Sequence, residues 1–446
     1  MSETDTFASR LQQELRHRVR RMPGRDPRQR DRSATPLELL YDLTYVVAFA
    51  AASDQLAEYL GEGTIWPALG AFAFAVWAVS WAWLNYSWFA SAYGNDDLLL
   101  RLATIVQMIG VIVLIYGLPV SFEAAAHGES PNNVLLVVGY VVMRVPLIAL
   151  WIRASNQDPQ HRQNALSYVV IISVAQLGWI LTALLPLPAP VTVAMIVGLA
   201  IAEMVAPVAA TRRYGFSPWN AGHLAERFAL LTLITIGEVI AGTTAAVGAL
   251  TQEVGWSFEA VLIVSSGLLI AASVWWTYFL VPSRLVLEQR PERTFAWRYA
   301  HLALFGSIAA IGAGLHLTTI AVEHGEVSLL GIALALAVPL ATTIFLIFLI
   351  WSVLMRSFDL THLPLLLITM APLAAAVVVG ALFHPQQALD LEEPGAMTLL
   401  SVVVGLVALG AVIEVVGHEI VRFGHTLAAW RRVPAAAEQS GMPQEG

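Results

Sequence analysis

The chain has 446 residues, 57% of them hydrophobic and 13% charged, with a mean hydropathy of +0.68 and a formal net charge of −8. Soluble domains carry about 25% charged residues, so this composition identifies an integral membrane protein, and the charge is to be read by membrane side rather than as a sum. Cysteine is absent, which excludes disulfides and cysteine-ligated zinc, haem or iron–sulfur centres.

The first 34 residues form a basic arm with nine arginines from Arg10 to Arg32. Within it Phe7, Leu11, Leu15, Val19 and Met22 recur at helical spacing, as in an interfacial helix held by anionic lipid; a solvated basic arm is the alternative. Residues 23–33 and 434–446 read as flexible polar segments. From residue 36 onward, windows long and apolar enough to cross the hydrocarbon run over 36–60, 65–90, 98–122, 133–153, 163–185, 189–211, 222–250, 256–281, 295–321, 327–355, 361–383 and 397–422. The narrowest break is a tight turn at Pro186, Pro188 and Pro190, between the fifth and sixth.

Arginines orient these spans. Alternate loops carry Arg153 and Arg162, Arg212 and Arg213, Arg284 to Arg298, and Arg356, whereas the intervening loops hold acids such as Glu62, Glu129, Glu253 and Glu326. Under the positive-inside rule both termini are cytoplasmic, as expected of a multi-pass protein of the plasma (inner) membrane. The dissenting loop contains Asp96 and Asp97, partly offset by Arg101.

Short words recur along the chain. Glu38 heads Glu-Leu-Leu-Tyr-Asp-Leu-Thr, and Glu226 heads Glu-Arg-Phe-Ala-Leu-Leu-Thr 188 residues later. Trp83-Leu84-Asn85-Tyr86 matches Trp275-Trp276-Thr277-Tyr278, and Val145-Pro146-Leu147 matches Val338-Pro339-Leu340, at offsets of 192 and 193. The expected fold is therefore an all-α polytopic membrane bundle of about twelve transmembrane helices in two parallel six-helix repeats. Its organisation would be a basic cytoplasmic arm (1–34), a first six-span half (35–215), a second (216–425) and a cytoplasmic tail (426–446). Parallel repeats are a recurring transporter plan, with the path at their interface.

An ionised group at the bilayer centre costs on the order of 3 kcal/mol on insertion scales, so buried charges are the candidate site. Glu38 and Asp42 share a helix face and would repel, hold a cation or share a proton. For Glu38 there is a structural alternative, a capping box with Thr35 ahead of Pro36. Glu226 and Arg227 stand at the start of the seventh span, where the helix dipole also favours an acid. Glu238 lies three turns deeper between Gly237 and Gly242, as a pathway residue or a buried hydrogen-bonding one. Arg144 is a natural counter-ion for Glu203 or Glu238. His301 and His316 face nearly the same way on the ninth span, and His301 is a candidate proton relay. Glu414, His418 and Glu419 are expected to snorkel to water.

The segment Thr35-Pro36-Leu37-Glu38-Leu39-Leu40-Tyr41-Asp42-Leu43-Thr44 resembles the opening span of the bacterial low temperature requirement protein A family. His223-Leu224-Ala225-Glu226-Arg227-Phe228 with Ile236-Gly237-Glu238, and Tyr299-Ala300-His301, are similar to that family's later segments. The resemblance covers about residues 33–425 and implies a multi-span bacterial membrane protein without an agreed activity.

No zinc-protease motif, Walker loop or nucleophile elbow is present. An enzyme is therefore not expected, and neither is a cofactor, a metal or a nucleic-acid partner. The leading expectation is a secondary transporter coupled to a proton or cation gradient, whose partners are the bilayer and a small ion or small molecule. A cation channel, or a scaffold or sensor linked to stress or cold growth, are the alternatives.

Overall fold

A computed structural model describes residues 19–29, 32–357, 363–383, 387–391 and 393–439, with the backbone alone for 421–439 and for residue 254. Its long helices, in chain order, are α1 (Pro36–Gly61), α2 (Ile65–Tyr93), α3 (Leu98–Ala126), α4 (Val134–Gln157), α5 (Arg162–Leu184), α6 (Ala189–Tyr214), α7 (Ala221–Val254) and α8 (Phe258–Phe279). A short α9 (Ser283–Gln289) precedes α10 (Thr294–His324), α11 (Leu329–Met355), α12 (Leu363–Leu382) and α13 (Ala396–Gln439). The protein is all-helical, with no β-strand among the described residues. This is what lipid demands, because a helix satisfies its own backbone hydrogen bonds.

The twelve long helices among the described residues fall on the twelve hydropathy windows. Eleven are long and apolar enough to cross a membrane. The exception is α1, whose 26 residues reach about 39 Å but carry Glu38, Asp42, Asp54 and Glu58. Exposed apolar stripes mark lipid-facing surfaces. On α5, Val170, Val174, Leu177, Leu181 and Leu184 are all exposed at helical spacing, a patch that water would not tolerate at this size.

The chain divides into two compact units. Unit 1 comprises Met1–Tyr45, Ala82–Ala124 and Gly128–Arg227; unit 2 comprises Val46–Trp81, Ala125–His127 and Phe228–Gly446. Unit 1 is cored by aromatic rings, with Trp151 stacked on Tyr168 at 4.4 Å and Phe89 and Tyr93 set edge-on against Trp151. Its α3 and α4 touch backbone to backbone, since a Cβ on Gly139 would lie 2.6 Å from the Gly110 carbonyl oxygen. Such contacts replace the hydrophobic drive that lipid removes. In unit 2, α10 is the most deeply packed helix and lies against α11.

Two segments expected to be flexible have regular contacts or helix in their described parts. Part of the 23–33 stretch is a strap over the helix ends of unit 1. Arg25 donates from its backbone N–H to the Ala92 carbonyl (3.0 Å) and from Nε to that of Gly94 (2.7 Å), and Arg32 donates to the carbonyls of Ala90 (2.6 Å) and Ser91. Ala90, Ser91 and Ala92 carry the last carbonyls of α2 and Gly94 follows its end; the Ala90 carbonyl also accepts from the Gly94 N–H (2.9 Å), whereas the final carbonyls of a helix have no partner within it. Asn220 holds the strap by donating to the carbonyls of Pro27 and Gln29, and Met22 is fully buried. Burial lowers the Arg32 pKa to about 10, aided by the nearby charge of Arg25, so Arg32 stays charged at neutral pH. The polar tail is also partly ordered, since α13 continues to Gln439. The stripe from Phe7 lies, up to residue 18, outside the described residues.

The dissenting acids before α3 are neutralised locally. Asp96 pairs with Arg101 (2.7 Å), and Asp97 pairs with Arg153 from the end of α4 (2.5 Å). Asp97 also accepts from the backbone N–H groups of Leu100 and Arg20, capping α3. Burial alone would raise the Asp97 pKa; the Arg153 guanidinium and the two N–H groups outweigh it and hold the value below the usual one. A depressed carboxylate pKa contributes stability above its unfolded value, near 3.9, and that contribution is lost as pH falls through the folded value. Asp97→Asn is expected to cost about 1–3 kcal/mol and to flatten the loss of stability below about pH 4, read from thermal unfolding midpoints in detergent across a pH series.

Candidate functional site

The start of α1 builds the first cluster. Thr35 and Glu38 form the expected capping box: Glu38 Oε2 accepts from the Thr35 N–H (2.8 Å) and hydroxyl (2.9 Å), and the Glu38 N–H donates to Thr35 Oγ1 (3.3 Å). The cap does not exhaust Glu38. Its Oε1 accepts from Arg227 (3.0 Å) and lies 3.1 Å from His223 Nε2, both on the first turns of α7. Glu38 is therefore both the capping-box carboxylate and an ion-pair partner of Arg227.

One turn along α1, Asp42 is fully buried. Its Oδ1 accepts from the other terminal nitrogen of Arg227 (2.5 Å) and from the Trp83 indole (2.7 Å). The planar guanidinium spans two carboxylates one helical turn apart, which a lysine would not do. The rings of Trp83 and Tyr86 lie 5.5 and 5.7 Å from the guanidinium carbon, positions that favour a cation. In direct contact the two carboxylates share one guanidinium and His223, and the strap arginines Arg25 and Arg32 also act on Glu38. Asp42 Oδ2, Arg227 Nε and His223 Nδ1 are buried with no hydrogen-bond partner.

Arg144 and Glu203 form a second buried pair in unit 1. Arg144 donates to Glu203 Oε2 (3.3 Å) and to the Tyr140 hydroxyl (3.0 Å), while Trp179 donates to Glu203 Oε1 (2.9 Å). Of the two partners expected for Arg144, the structure selects Glu203. Glu226 is half-buried and accepts from the Ala34 N–H (3.3 Å), which ties α7 to the strap.

Unit 2 holds Glu238, Asp54 and His316. His316 Nδ1 lies 2.7 Å from Asp54 Oδ1, and both act electrostatically on Glu238. Glu238 sits where α7 and α10 meet: a Cβ on Gly312 would lie 2.8 Å from its carbonyl oxygen, and one on Gly242 2.6 Å from the Gly312 carbonyl oxygen. His301 keeps different company. It bonds the Tyr278 hydroxyl (3.0 Å) and the Trp297 carbonyl (2.7 Å), enclosed by Phe228, Trp297 and Phe305. No carboxylate joins it. Glu414 departs from expectation: it is buried, accepting from Thr369 (2.8 Å) with His418 at 2.8 Å. Snorkelling is unnecessary because α12 and its own helix supply the partners.

Sequence reasoning passed over Asp54 and did not connect it with His316. The available signal was a third acid on α1, three turns beyond Asp42. Among the described residues no three His, Cys, Asp or Glu side chains converge as metal ligands.

The sequence profile of the bacterial low temperature requirement A protein family matches residues 33–404. The chain belongs to this family. The match takes in the Arg227 cluster, the Arg144–Glu203 pair and the Glu238 cluster, and stops before Glu414. An uncharacterized protein of Rhizobium meliloti (strain 1021) is 26% identical over 298 residues, covering 62% of this chain and 67% of the relative. No solved structure matches.

Removing one partner of a buried ion pair strands the other, at about 3–5 kcal/mol, whereas replacing the whole set is often near neutral. Arg227→Met alone is expected to lower the unfolding midpoint sharply. Adding Glu38→Gln and Asp42→Asn to it should recover most of the loss, measured by thermal unfolding in the same detergent.

Proposed function

We propose that this family member is a secondary permease of the bacterial inner membrane, with both termini cytoplasmic, coupling a small solute or ion to a proton or cation gradient. The observation that supports it most is the incomplete bonding of Asp42 beside Arg227. Asp42 is sealed from solvent with one oxygen unpartnered, while its other oxygen shares the guanidinium with Glu38. A buried carboxylate with an unbonded oxygen can take a proton or a cation there, which gives a loaded and an unloaded state. Switching between such states is what a coupled carrier needs.

In this reading Asp42 is the coupling carboxylate of unit 1. Arg227 is the fixed charge against which Asp42 is loaded and unloaded, and His223 adjusts the charge on Glu38. The Arg144–Glu203 pair supplies a second charge that can exchange partners as the helices shift. The strap on the arginine-rich side ties the first turns of α1 to the start of α7 through Asn220 and Glu226. It would move together with the cluster it adjoins.

The test is flux from proteoliposomes under imposed proton and cation gradients, screened against pooled metabolites. Asp42→Asn is expected to cut gradient-driven flux at least about tenfold, a change equivalent to about 1.4 kcal/mol, while the protein still inserts and folds. Unchanged flux with a lowered unfolding midpoint would make the cluster a structural tie. Current that persists with no coupling gradient would make the protein a channel.

A further inference from the structure

We infer that Asp54, His316 and Glu238 form a proton port in unit 2, through which a proton from the membrane face at the C-terminal ends of α1, α7 and α10 (the remote face) reaches a carboxylate in the helix-packed interior. This rests on the coupled-permease reading and deepens it by naming the coupling ion as the proton.

The three side chains are graded by exposure. Asp54 is 53% exposed and His316 33%, and Glu238 is 7% exposed. Along their helices they are graded by depth as well. Asp54 stands seven residues from the end of α1 and His316 eight from the end of α10, so each lies about 10–12 Å in. Glu238 stands sixteen residues from the end of α7, about 24 Å in.

Glu238 also differs from the other buried acids. Glu203 is held by Trp179 and Arg144, Glu414 by Thr369 and His418, and Asp42 by Trp83 and Arg227. Among the described residues Glu238 has no hydrogen-bond partner, although buried polar groups are as a rule satisfied. The charged groups that act on it are Asp54 from α1 and His316 from α10. A carboxyl that carries a proton for part of the time satisfies this arrangement, and a permanent structural ion pair does not. A coordinated metal cation fits poorly, since the three side chains do not converge on a common point and the backbones of α7 and α10 are in contact at Gly312.

The transfer balances simply. A proton from water protonates the imidazole of His316, and Asp54 stabilises the imidazolium. The imidazolium N–H bond then breaks as an O–H bond forms on Glu238, leaving a neutral ring beside Asp54 and a neutral carboxyl in the interior. His316 is suited to the step because its ordinary pKa lies near neutrality.

The full chain, reconstituted in lipid vesicles, tests this by infrared difference spectroscopy after a pH jump on the remote face. A protonated-carboxyl band should respond to the jump and vanish in Glu238→Gln. Its rise should slow at least about tenfold in His316→Gln, and less in Asp54→Asn, as expected for loss of a positioned proton-transfer group. Glu414→Gln should leave the band intact. A band that survives Glu238→Gln, or that rises at the wild-type rate in His316→Gln, overturns the port. Should Glu238→Gln fail to fold, the rate in the half-exposed His316→Gln decides the matter. Proton loading with no gradient-driven flux in any condition would keep the port and reject the permease, so the two ideas fail separately.

Discussion

A guanidinium buried between two carboxylates organises this protein. Lipid offers no water to screen or solvate a charge, so every ionised group inside must find its partner in the chain. Arg227 meets this requirement for Glu38 and Asp42 together, using both terminal nitrogens of its fork, with Trp83, Tyr86 and Thr35 completing the set. The arrangement ties the first turns of α1 to the first turns of α7. It also leaves one Asp42 oxygen without a partner, and ionisable groups inside membranes commonly mark functional sites.

The same constraint explains the strap. Carbonyls at and just beyond the end of α2 need donors, and Arg25 and Arg32 donate to them from a segment rich in arginine and proline. The strap is in turn fixed by Asn220 and by Glu226, next to Arg227. Ordering at the surface and charge pairing in the interior are thus adjacent links along one stretch of chain in unit 1. In unit 2 the interior acid is treated differently. Glu238 is placed by glycine-mediated helix contact and left without a hydrogen bond, within the field of a histidine–aspartate pair.

Much of the candidate site was legible residue by residue. Glu38, Asp42, Arg227 and Glu238 stood out because charge in an apolar window is costly wherever it occurs. Pairing was far less legible. Arg144 had two candidate partners at the sequence level, and only packing chose Glu203. His301 and His316 share a helix face by arithmetic, yet one is enclosed by aromatic rings and the other meets Asp54, because the helices opposite them differ. Glu414 was expected to reach for water, and Thr369 from α12 made that unnecessary.

The amino-acid sequence by itself determined the membrane class, the positions of the twelve long helices, the turn at Pro186–Pro190 and the capping box at Thr35. Each of these depends on neighbours within a few turns, through hydropathy, length and local hydrogen bonding. Only the tertiary structure decided which charges meet, that a polar, arginine-rich segment is strapped down, and that one buried acid in unit 2 goes unbonded. Those outcomes depend on groups up to about 190 residues apart, and no local pattern encodes which distant helix will face a given side chain.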